Sequence, residues 1–415
     1  MTPTRAPQPP AAAPATLLDF EPLLPAEAIV LRAAASGDIA KVSYRRPRTP
    51  EPDVKVRAEF LAFLAAGGGP GAPVAGRRLQ VMGAGIVGRF ALSGATLPLS
   101  LWLFRCTFDT APALDGAHVM GHLSFGDCAL PGLRAEDCRV DGDLALNAGC
   151  SLDGEVELGR AVIGRELDCE RLHLSGPDDA ARTWPRRFVA DAIRVGGNVN
   201  LRGGAETVGE VRFVGARIGG DLLASGARLT ADLDEAGARG VALNLDRAEI
   251  GGNVALDAGF SAGGAVRLKQ ARIGGDLLCS GADFDAVGDA SWGENAAALL
   301  LERARIGGTL DLRRLATPLR GASLEDAQVT TLLDDASTWG AHHVLDGFTY
   351  RRLGAGAPTD ATMRLDWLLR QRADQVDGNF RDDPWRRVIA ALHDSGRGGS
   401  ARLVAIGRER HLRRS

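Results

Sequence analysis

The stretch Ala271-Arg-Ile-Gly-Gly-Asp-Leu-Leu-Cys-Ser-Gly-Ala-Asp-Phe284 is repeated, in closer or more distant copies, along most of the chain. The nearest copy is Ala216-Arg-Ile-Gly-Gly-Asp-Leu-Leu-Ala-Ser-Gly-Ala-Arg-Leu229, and a third begins at Ala161. Copies of a second series alternate with these and begin at Ile193, Ala248 and Ala304. Self-similarity at a fixed period, here about 55 residues, is the sequence signature of stacked repeats.

Each copy carries one anchoring aliphatic residue, and the spacing of these residues defines the module. A short turn, as from Val195 to Ile218, alternates with a long turn, as from Ile218 to Ile250. The anchoring residues are Ile163, Val195, Ile218, Ile250, Ile273 and Ile306. Apolar residues alternate within a copy, as at Leu222 and Ala224, and this period of two indicates a β-strand. The Gly-Gly pair that follows most anchors predicts a corner.

A weaker sub-period of about 11 residues divides each coil into two similar half-units. Ala216-Arg-Ile218, for example, is echoed at Ala227-Arg-Leu229. Short strands separated by small-residue corners predict a mainly β fold, a right-handed parallel β-helix in which each coil adds about 4.8 Å along the axis. One coil cannot bury its apolar face alone, so we expect the stacked coils to share one core.

Insertions occur at one phase of the long turns, after Leu174, Leu229 and Phe284. Repeat proteins often bind their partners on the face that carries such insertions, and large aromatic residues often anchor an interface. The sequence therefore predicts an interaction face in these segments. Its candidate residues are Trp184, Arg186, Arg187, Asp232, Asp234, Asp289, Trp292 and Glu294.

Charge and composition limit the classes of function. A net charge of -3 over 415 residues argues against nucleic acid as a partner. The chain has no apolar run near the ~18 residues of a membrane span and no apolar signal segment at its N-terminus. Six cysteines without a CxxC pair are expected to be buried free thiols in a reducing compartment. The sequence therefore predicts a cytoplasmic protein without a transmembrane segment, whose partner is an unknown protein.

The chain divides into four predicted segments. They are a Pro/Ala-rich disordered tail at 1–24, an N-terminal helical cap at 25–78, a repeat domain at 79–345 and a C-terminal helical segment at 346–415. Helices are predicted at 25–37, 53–66, 363–373, 383–393 and 400–414. Arginines outnumber acidic residues in the stretch 361–415. This basic end is interpreted as a solvated helix face or as a contact with an acidic partner or the membrane periphery.

The stretch Leu79-Gln-Val-Met-Gly-Ala-Gly-Ile-Val-Gly88 contains a dinucleotide-like glycine motif. Gly83, Gly85 and Gly88 have the G-x-G-x-x-G spacing, and Asp109 follows about 20 residues later, as in the fingerprint of nucleotide-binding turns. That motif needs a helix directly after it, because the helix N-terminus holds the pyrophosphate.

Strand and turn residues follow this motif instead, including Pro98. Residues 84–92 also align with the repeat copy at 216–224, so we interpret the three glycines as coil corners. We accordingly expect no NAD or FAD and no other cofactor, and the scattered histidines suggest no metal site.

Asp221 and Asp276 follow Gly-Gly in equivalent coils and are the candidates for chemistry on the outer face. Asn198, Asn253 and Thr309 hold the same place in the other coils, and all three residue types are good corner formers. No catalytic residue can be assigned. The favoured function is a non-catalytic scaffold or protein-interaction module. The alternative is a carbohydrate-active enzyme that uses the outer face of the β-helix, and an NAD(P)-dependent oxidoreductase is less favoured.

The repeated Ala-Arg-Ile-Gly-Gly-Asp-Leu motif resembles a bacterial β-helical repeat family commonly labelled "membrane-associated oxidoreductase", which is similar in style to pentapeptide-repeat proteins. Val56-Arg-Ala-Glu-Phe-Leu61 and residues 383–396 also resemble that family, so the likeness covers about residues 50–415. The resemblance implies a solenoid but no catalytic residues. Some pentapeptide-repeat proteins mimic DNA and bind topoisomerases, but such a mimic is strongly acidic and this chain is not.

Overall fold

In the computed structural model, the chain forms mainly parallel β-sheets with few helices. The structure describes residues 16–49, 51–175, 186–231, 240–285, 297–376 and 380–413. Most strands of the three large sheets pair in parallel with a strand that lies later in the chain, as His118 does with Arg139 and His173 with Glu206. The strands are short because small-residue corners interrupt the alternating apolar pattern every few residues.

The largest sheet has 21 strands and contains two rows of two-residue strands. Its strands are Ile39–Lys41, Arg78–Met82, Thr96–Leu97, Ser100–Phe104, His118–Val119, Leu123–Gly126, Arg139–Val140, Leu144–Ala145, Val162–Ile163, Leu167–Asp168, Arg194–Val195, Val199–Asn200, Arg217–Ile218, Leu222–Leu223, Glu249–Ile250, Val254–Ala255, Arg272–Ile273, Leu277–Leu278, Arg305–Asp311, Gln328–Leu333 and Thr349–Leu353. We call the strands that contain the six anchoring aliphatic residues the anchor row.

Two further parallel sheets complete the repeated part of the chain. The second sheet has ten strands: Lys55–Arg57, Gly85–Val87, Thr107–Phe108, Ala129–Leu130, Ser151–Leu152, His173–Leu174, Glu206–Val208, Arg228–Thr230, Ser261–Gly263 and Asp283–Phe284. The third has eight: Leu133–Arg134, Val156–Glu157, Arg186–Val189, Glu210–Arg212, Val241–Asn244, Ala265–Arg267, Leu299–Leu300 and Ala322–Ser323. A small antiparallel pair joins Gly68–Gly69 to Ala72–Pro73.

The anchoring aliphatic residues have the register that their sequence spacing predicts. Ile163, Val195, Ile218, Ile250, Ile273 and Ile306 lie opposite one another on successive strands, and each is at most 3% exposed. Burying one such side chain stabilises the fold by about 1.5–3 kcal/mol. The six cysteines are buried and free, as predicted.

The predicted alignment of residues 84–92 with 216–224 is wrong by one half-unit. Ile86 lies in the second sheet, opposite Phe108, whereas Ile218 lies in the first sheet. The weaker sub-period explains the error, because the two half-units of a coil have similar sequences. Gly83 and Gly88 flank the strand Gly85–Val87 with φ of 73° and 97°, as corner residues do, but Gly85 lies inside the strand, so its interpretation as a corner is also wrong.

Helices flank the sheets in the part of the chain that the structure describes. They are α1 (Pro25–Ser36), α2 (Ala58–Ala65), α3 (Ala361–Leu369), α4 (Ala373–Val376), α5 (Asp383–Asp394) and α6 (Gly398–Leu412), and Leu17–Phe20 and Ala75–Arg77 form 3-10 turns. Gly37 follows α1 in the left-handed conformation, with φ of 77°. Asp382 precedes Asp383, the first residue of α5. The segment Lys55–Arg57 is a strand rather than the first turn of a helix, since it pairs with Gly85–Val87.

The helices cover the edges of the sheets. Helix α1 packs on Ile39–Lys41, α2 on Lys55–Arg57 and α5 on Thr349–Leu353, the last strand of the largest sheet. Such cover matters because an uncovered edge strand exposes unpaired N–H and C=O groups. None of the helices in the described ranges is both long enough and apolar enough to cross a bilayer.

Candidate binding groove

A groove of about 1380 Å³ runs along the anchor row of the largest sheet. The anchoring aliphatic residues and the glycines that follow them form its floor, and the residue before each aliphatic forms its rim. The floor glycines are Gly164, Gly196, Gly219, Gly251, Gly274 and Gly307. The corners that the sequence predicts therefore also form an extended concave surface on the described part of the molecule.

The floor needs glycine because successive strands approach each other too closely for a side chain. A Cβ atom on Gly219 would lie 2.3 Å from the carbonyl oxygen of Gly196, and one on Gly251 would lie 2.3 Å from that of Gly219. Either contact is far inside van der Waals distance, so alanine would force the strands apart. The same restriction keeps the floor free of side chains, which allows a ligand to approach the backbone.

Arginines dominate the rim of the groove. Arg194, Arg217, Glu249, Arg272 and Arg305 lie side by side on five adjacent strands, and we call them the arginine row. Glu249 is shared between two neighbours, with Oε2 3.4 Å from Nε of Arg217 and Oε1 3.6 Å from Nη1 of Arg272. Both arginine side chains remain about two thirds exposed, at 64% and 65%, so these ion pairs contribute little to stability.

The two outer arginines of the row have no carboxylate partner within the described ranges. No ion pair or hydrogen bond joins the guanidinium of Arg194 or Arg305 to another described residue. An arginine guanidinium presents five N–H donors in a planar fork that matches carboxylate and phosphate groups. The row therefore offers a ligand in the groove two donor groups, one at each end, that no described residue engages.

Helix α5 brings another cation to the end of the groove near Thr349–Leu353. Arg387 of α5 lines this end together with Tyr350 and Arg351. Tyr350 is 4% exposed, and neither its hydroxyl nor Nε of Arg387 has a hydrogen-bond partner among the described residues. Tyr350 lies in register with the buried Val329, so its hydroxyl is in the interior, and burial raises its pKa. Arg387 and Arg351 thus add positive charge at this end of the groove.

A second depression of about 340 Å³ extends the basic surface beside the row. It is lined by Arg247, Glu249, Gln270, Arg272, Arg303 and Arg305. Arg247, Gln270 and Arg303 lie at the turns before the anchor strands, with φ of 59°, 60° and 59°. The turn geometry directs successive polar side chains to the same face of the stack, so the positive surface is wider than the groove itself.

A second row of polar residues follows the floor glycines, and its role is structural. We call Asn198, Asp221, Asn253, Asp276 and Thr309 the corner row. Each backbone N–H donates to the side chain before it: Asp221 to Asn198 at 2.8 Å, Asn253 to Asp221 at 2.6 Å, Asp276 to Asn253 at 2.8 Å and Thr309 to Asp276 at 2.5 Å. The interpretation of these residues as corner formers is confirmed.

Six of the interaction residues predicted from the insertions lie outside the described residues, so that part of the interaction face stays a prediction. They are Trp184, Asp232, Asp234, Asp289, Trp292 and Glu294. Arg186 and Arg187 belong to the strand Arg186–Val189 of the third sheet, where Arg187 is 6% exposed. The insertions connect the second sheet to the third, whereas the groove lies on the largest sheet. The sequence did contain a signal for the groove: arginine precedes the anchoring aliphatic in four of the five copies between Arg194 and Arg305.

The dinucleotide-like glycines occupy positions that the strands require. A Cβ atom on Gly83 would lie 2.0 Å from the carbonyl oxygen of Ser43. The N–H of Gly88 donates to both carboxylate oxygens of Asp109, at 3.0 and 3.1 Å. The last glycine of the motif and the aspartate that follows it therefore bind each other. The strand Gly85–Val87 is followed by a turn and not by a helix.

Neither a metal-binding cluster in the described ranges nor a similar known protein indicates what the groove binds. Across the described ranges, no three histidine, cysteine, aspartate or glutamate residues are grouped so that they could hold a metal ion. No family model, no curated protein and no solved structure matches this chain.

Proposed function

We propose that the protein is a non-catalytic binding scaffold, a right-handed parallel β-helix whose groove holds an extended segment of a partner protein. The parallel pairing of strands one coil apart supports the β-helix. Nearly all crossovers between parallel strands of one sheet are right-handed, which supports the handedness. The resemblance to the bacterial β-helical family belongs to the same proposal.

The shape of the groove is the observation that carries this proposal. Its lining extends from Val162 to Thr349, which lie at the two ends of eight successively paired strands. Seven strand spacings make a length of roughly 34 Å. A fully extended segment of about ten residues has the same length. A long, shallow groove of this kind fits an extended chain better than a compact small molecule.

The side chains that line the groove favour binding over catalysis. Glu249 is its only carboxylate within the described ranges, and no histidine, cysteine or serine is among the lining residues. General acid–base chemistry needs a positioned proton donor and acceptor at the reacting group. The carboxylates of Asp221 and Asp276, the candidates for a carbohydrate-active enzyme, accept backbone N–H groups of the next strand.

Site-specific cross-linking tests the scaffold. A photoreactive amino acid at Arg217 should capture a partner protein in cells, whereas the same group at Arg89, an exposed arginine outside the groove, should not. The full chain should also be compared with a variant that lacks residues 176–185, 232–239 and 286–296. If capture at Arg217 disappears in this variant, the partner binds through the insertions and not through the groove. Turnover of a polysaccharide by the purified protein would favour the enzyme.

A further inference from the structure

We propose that the groove recognises an acidic polypeptide in extended conformation, with two carboxylates six residues apart that pair with Arg194 and Arg305. This inference rests on the proposed function and adds the chemistry and the spacing of the ligand. It starts from the difference between the arginines of the row. Arg217 and Arg272 share Glu249, whereas Arg194 and Arg305 contact no carboxylate of the described residues.

The distance between the two outer arginines is fixed by the sheet. Arg194, Arg217, Glu249, Arg272 and Arg305 occupy successive paired strands, so the Cα atoms of the first and last are four strand spacings apart. At about 4.8 Å for each spacing, this distance is roughly 19 Å. An extended chain advances about 3.3 Å per residue, so six residues cover nearly the same distance.

A separation of six residues also places both acidic side chains on the same face of an extended ligand. Side chains of an extended chain alternate between two faces, so residues separated by an even number point to the same side. Two acidic residues six apart can therefore both face the row, whereas residues five apart point in opposite directions. Glu249 lies midway between the outer arginines and disfavours a third carboxylate there. We thus expect a ligand segment with acidic ends and a neutral middle.

The charge of the groove contrasts with that of the whole chain. Among the described residues, its lining contains one carboxylate, that of Glu249, and six arginines: Arg194, Arg217, Arg272, Arg305, Arg351 and Arg387. The chain as a whole has a net charge of -3, so the positive potential is a local feature of this face. Complementary potentials of this kind select partners and orient them more than they add affinity.

The floor favours a polypeptide over a single-stranded nucleic acid. Proteins that bind single strands place aromatic side chains along a basic groove, because bases stack on them. The described lining of this groove contains one aromatic residue, Tyr350, which is 4% exposed and lies at the end. The rest of the floor is backbone and aliphatic carbon. A bare floor of this kind lets the main chain of a polypeptide lie close to the strands.

Synthetic peptides test the spacing directly. Three labelled peptides of equal length are required: one with two glutamates six residues apart, one with the glutamates five apart and one with glutamines in their place. Binding to the full-length protein is measured by fluorescence anisotropy at low and at high salt. The six-residue spacing should bind best. The five-residue spacing should bind at least about threefold more weakly, and high salt should weaken both.

Substitutions at the two ends of the row identify the contacts. Arg194→Gln and Arg305→Gln should each weaken binding of the six-residue peptide by about two- to fivefold, as expected for exposed ion pairs. In the double variant, the affinity for the six-residue peptide should fall close to the affinity for the glutamine peptide. Arg89→Gln is the matched control, since it removes the same charge from an exposed site outside the groove, and it should leave binding unchanged. Circular dichroism confirms that each variant is folded.

Several results would overturn the inference. Equal binding of the two glutamate spacings would show that only net charge is recognised. Tighter binding of a polyuronate or of single-stranded DNA than of the six-residue peptide would assign the groove to another polyanion. Absence of binding to all three peptides would exclude the acidic polypeptide. In each case, capture of a partner protein by cross-linking at Arg217 would still support the binding scaffold. Failure of the acidic-peptide hypothesis can therefore be distinguished from failure of the scaffold hypothesis.

Discussion

Two rows of polar residues flank the same strip of glycines and repeat with the same period, yet the fold uses them in opposite ways. In the corner row, the side chain of Asp276 accepts the N–H of Thr309 at 2.5 Å, and the pattern continues from strand to strand. In the arginine row, the closest carboxylate contact is 3.4 Å, and the side chains project into solvent. Periodicity alone therefore does not separate a structural row from a binding surface.

Side-chain length and hydrogen-bonding capacity explain the difference. Aspartate, asparagine and threonine are short and carry acceptors, so they reach the backbone of the next strand and satisfy a corner. Arginine carries only donors on a long stem, so it cannot cap a backbone N–H and extends beyond the strand. One row thus holds the strands together, while the other is free for a ligand.

Ile273→Asp should disrupt both rows at once. Ile273 is 2% exposed and lies beneath the arginine row. A buried unpaired charge costs several kcal/mol, which is comparable with the total stability of many domains, so we expect unfolding or severe destabilisation. Ile273→Val is the control and should cost only about 0.5–1.5 kcal/mol. Urea unfolding followed by circular dichroism measures both, and a stable Ile273→Asp protein would show that the inward register is wrong.

Mild acid should destabilise the loop before the last strand of the largest sheet. Burial, with the positive charges of Arg370 and His342, lowers the pKa of His343 to about 4. The unfolded chain, with a histidine pKa near 6.5, takes up the proton first as the pH falls. The stability due to the neutral ring is complete above pH ~6.5 and is lost toward pH ~4, by about 2–3 kcal/mol.

The His343→Gln variant isolates this effect. Its free energy of unfolding should depend less on pH between about 7 and 4 than that of the unchanged protein, because no buried imidazole is left to protonate. Neither the corner row nor the arginine row contains a histidine, so this contribution should be specific to the C-terminal side of the sheet. Identical pH profiles of the two proteins would contradict a neutral buried ring.

Asp276→Ala and Arg272→Ala compare the two rows directly. Removing Asp276 leaves the N–H of Thr309 without its acceptor, so we expect a loss of about 1–3 kcal/mol in the free energy of unfolding. Removing Arg272, which is 65% exposed, should change it by less than about 0.5 kcal/mol. Asp276→Asn retains the acceptor, as Asn253 does in the neighbouring strand, and should be close to the unchanged protein. Equal losses for the two alanine variants would remove the distinction between the rows.

Glu249→Gln should affect binding and leave the fold intact. The carboxylate is 48% exposed and offsets the charge of Arg217 and Arg272. Its removal should strengthen binding of the peptide with two glutamates six residues apart by roughly two- to fivefold, with almost no change in thermal stability. Peptide titration and thermal unfolding of the same preparation measure the two effects. Unchanged affinity would show that Glu249 does not face the ligand.

The period, the strand type and the inward positions can all be read from the amino-acid sequence. Aliphatic anchors such as Ile218 and Ile273 recur because each anchor strand buries the same position beside the next strand, and Asp221 and Asp276 recur because the N–H of the next strand needs an acceptor. Each of these requirements concerns neighbouring residues and recurs along the chain, so the amino-acid sequence alone reveals it. The same repetition misled the alignment of residues 84–92, since the two half-units of a coil share the pattern and only strand pairing separates them.

Which positions share the groove follows only from the pairing of strands that are far apart in sequence. The groove forms because glycines of successive paired strands lie side by side and leave one strip of the surface without side chains, while the residues before the anchors line its rim. Arg387 joins this surface from helix α5, which packs on the strand Thr349–Leu353. Local sequence determines which residue occupies a position, but stacking and long-range packing determine which positions share a surface.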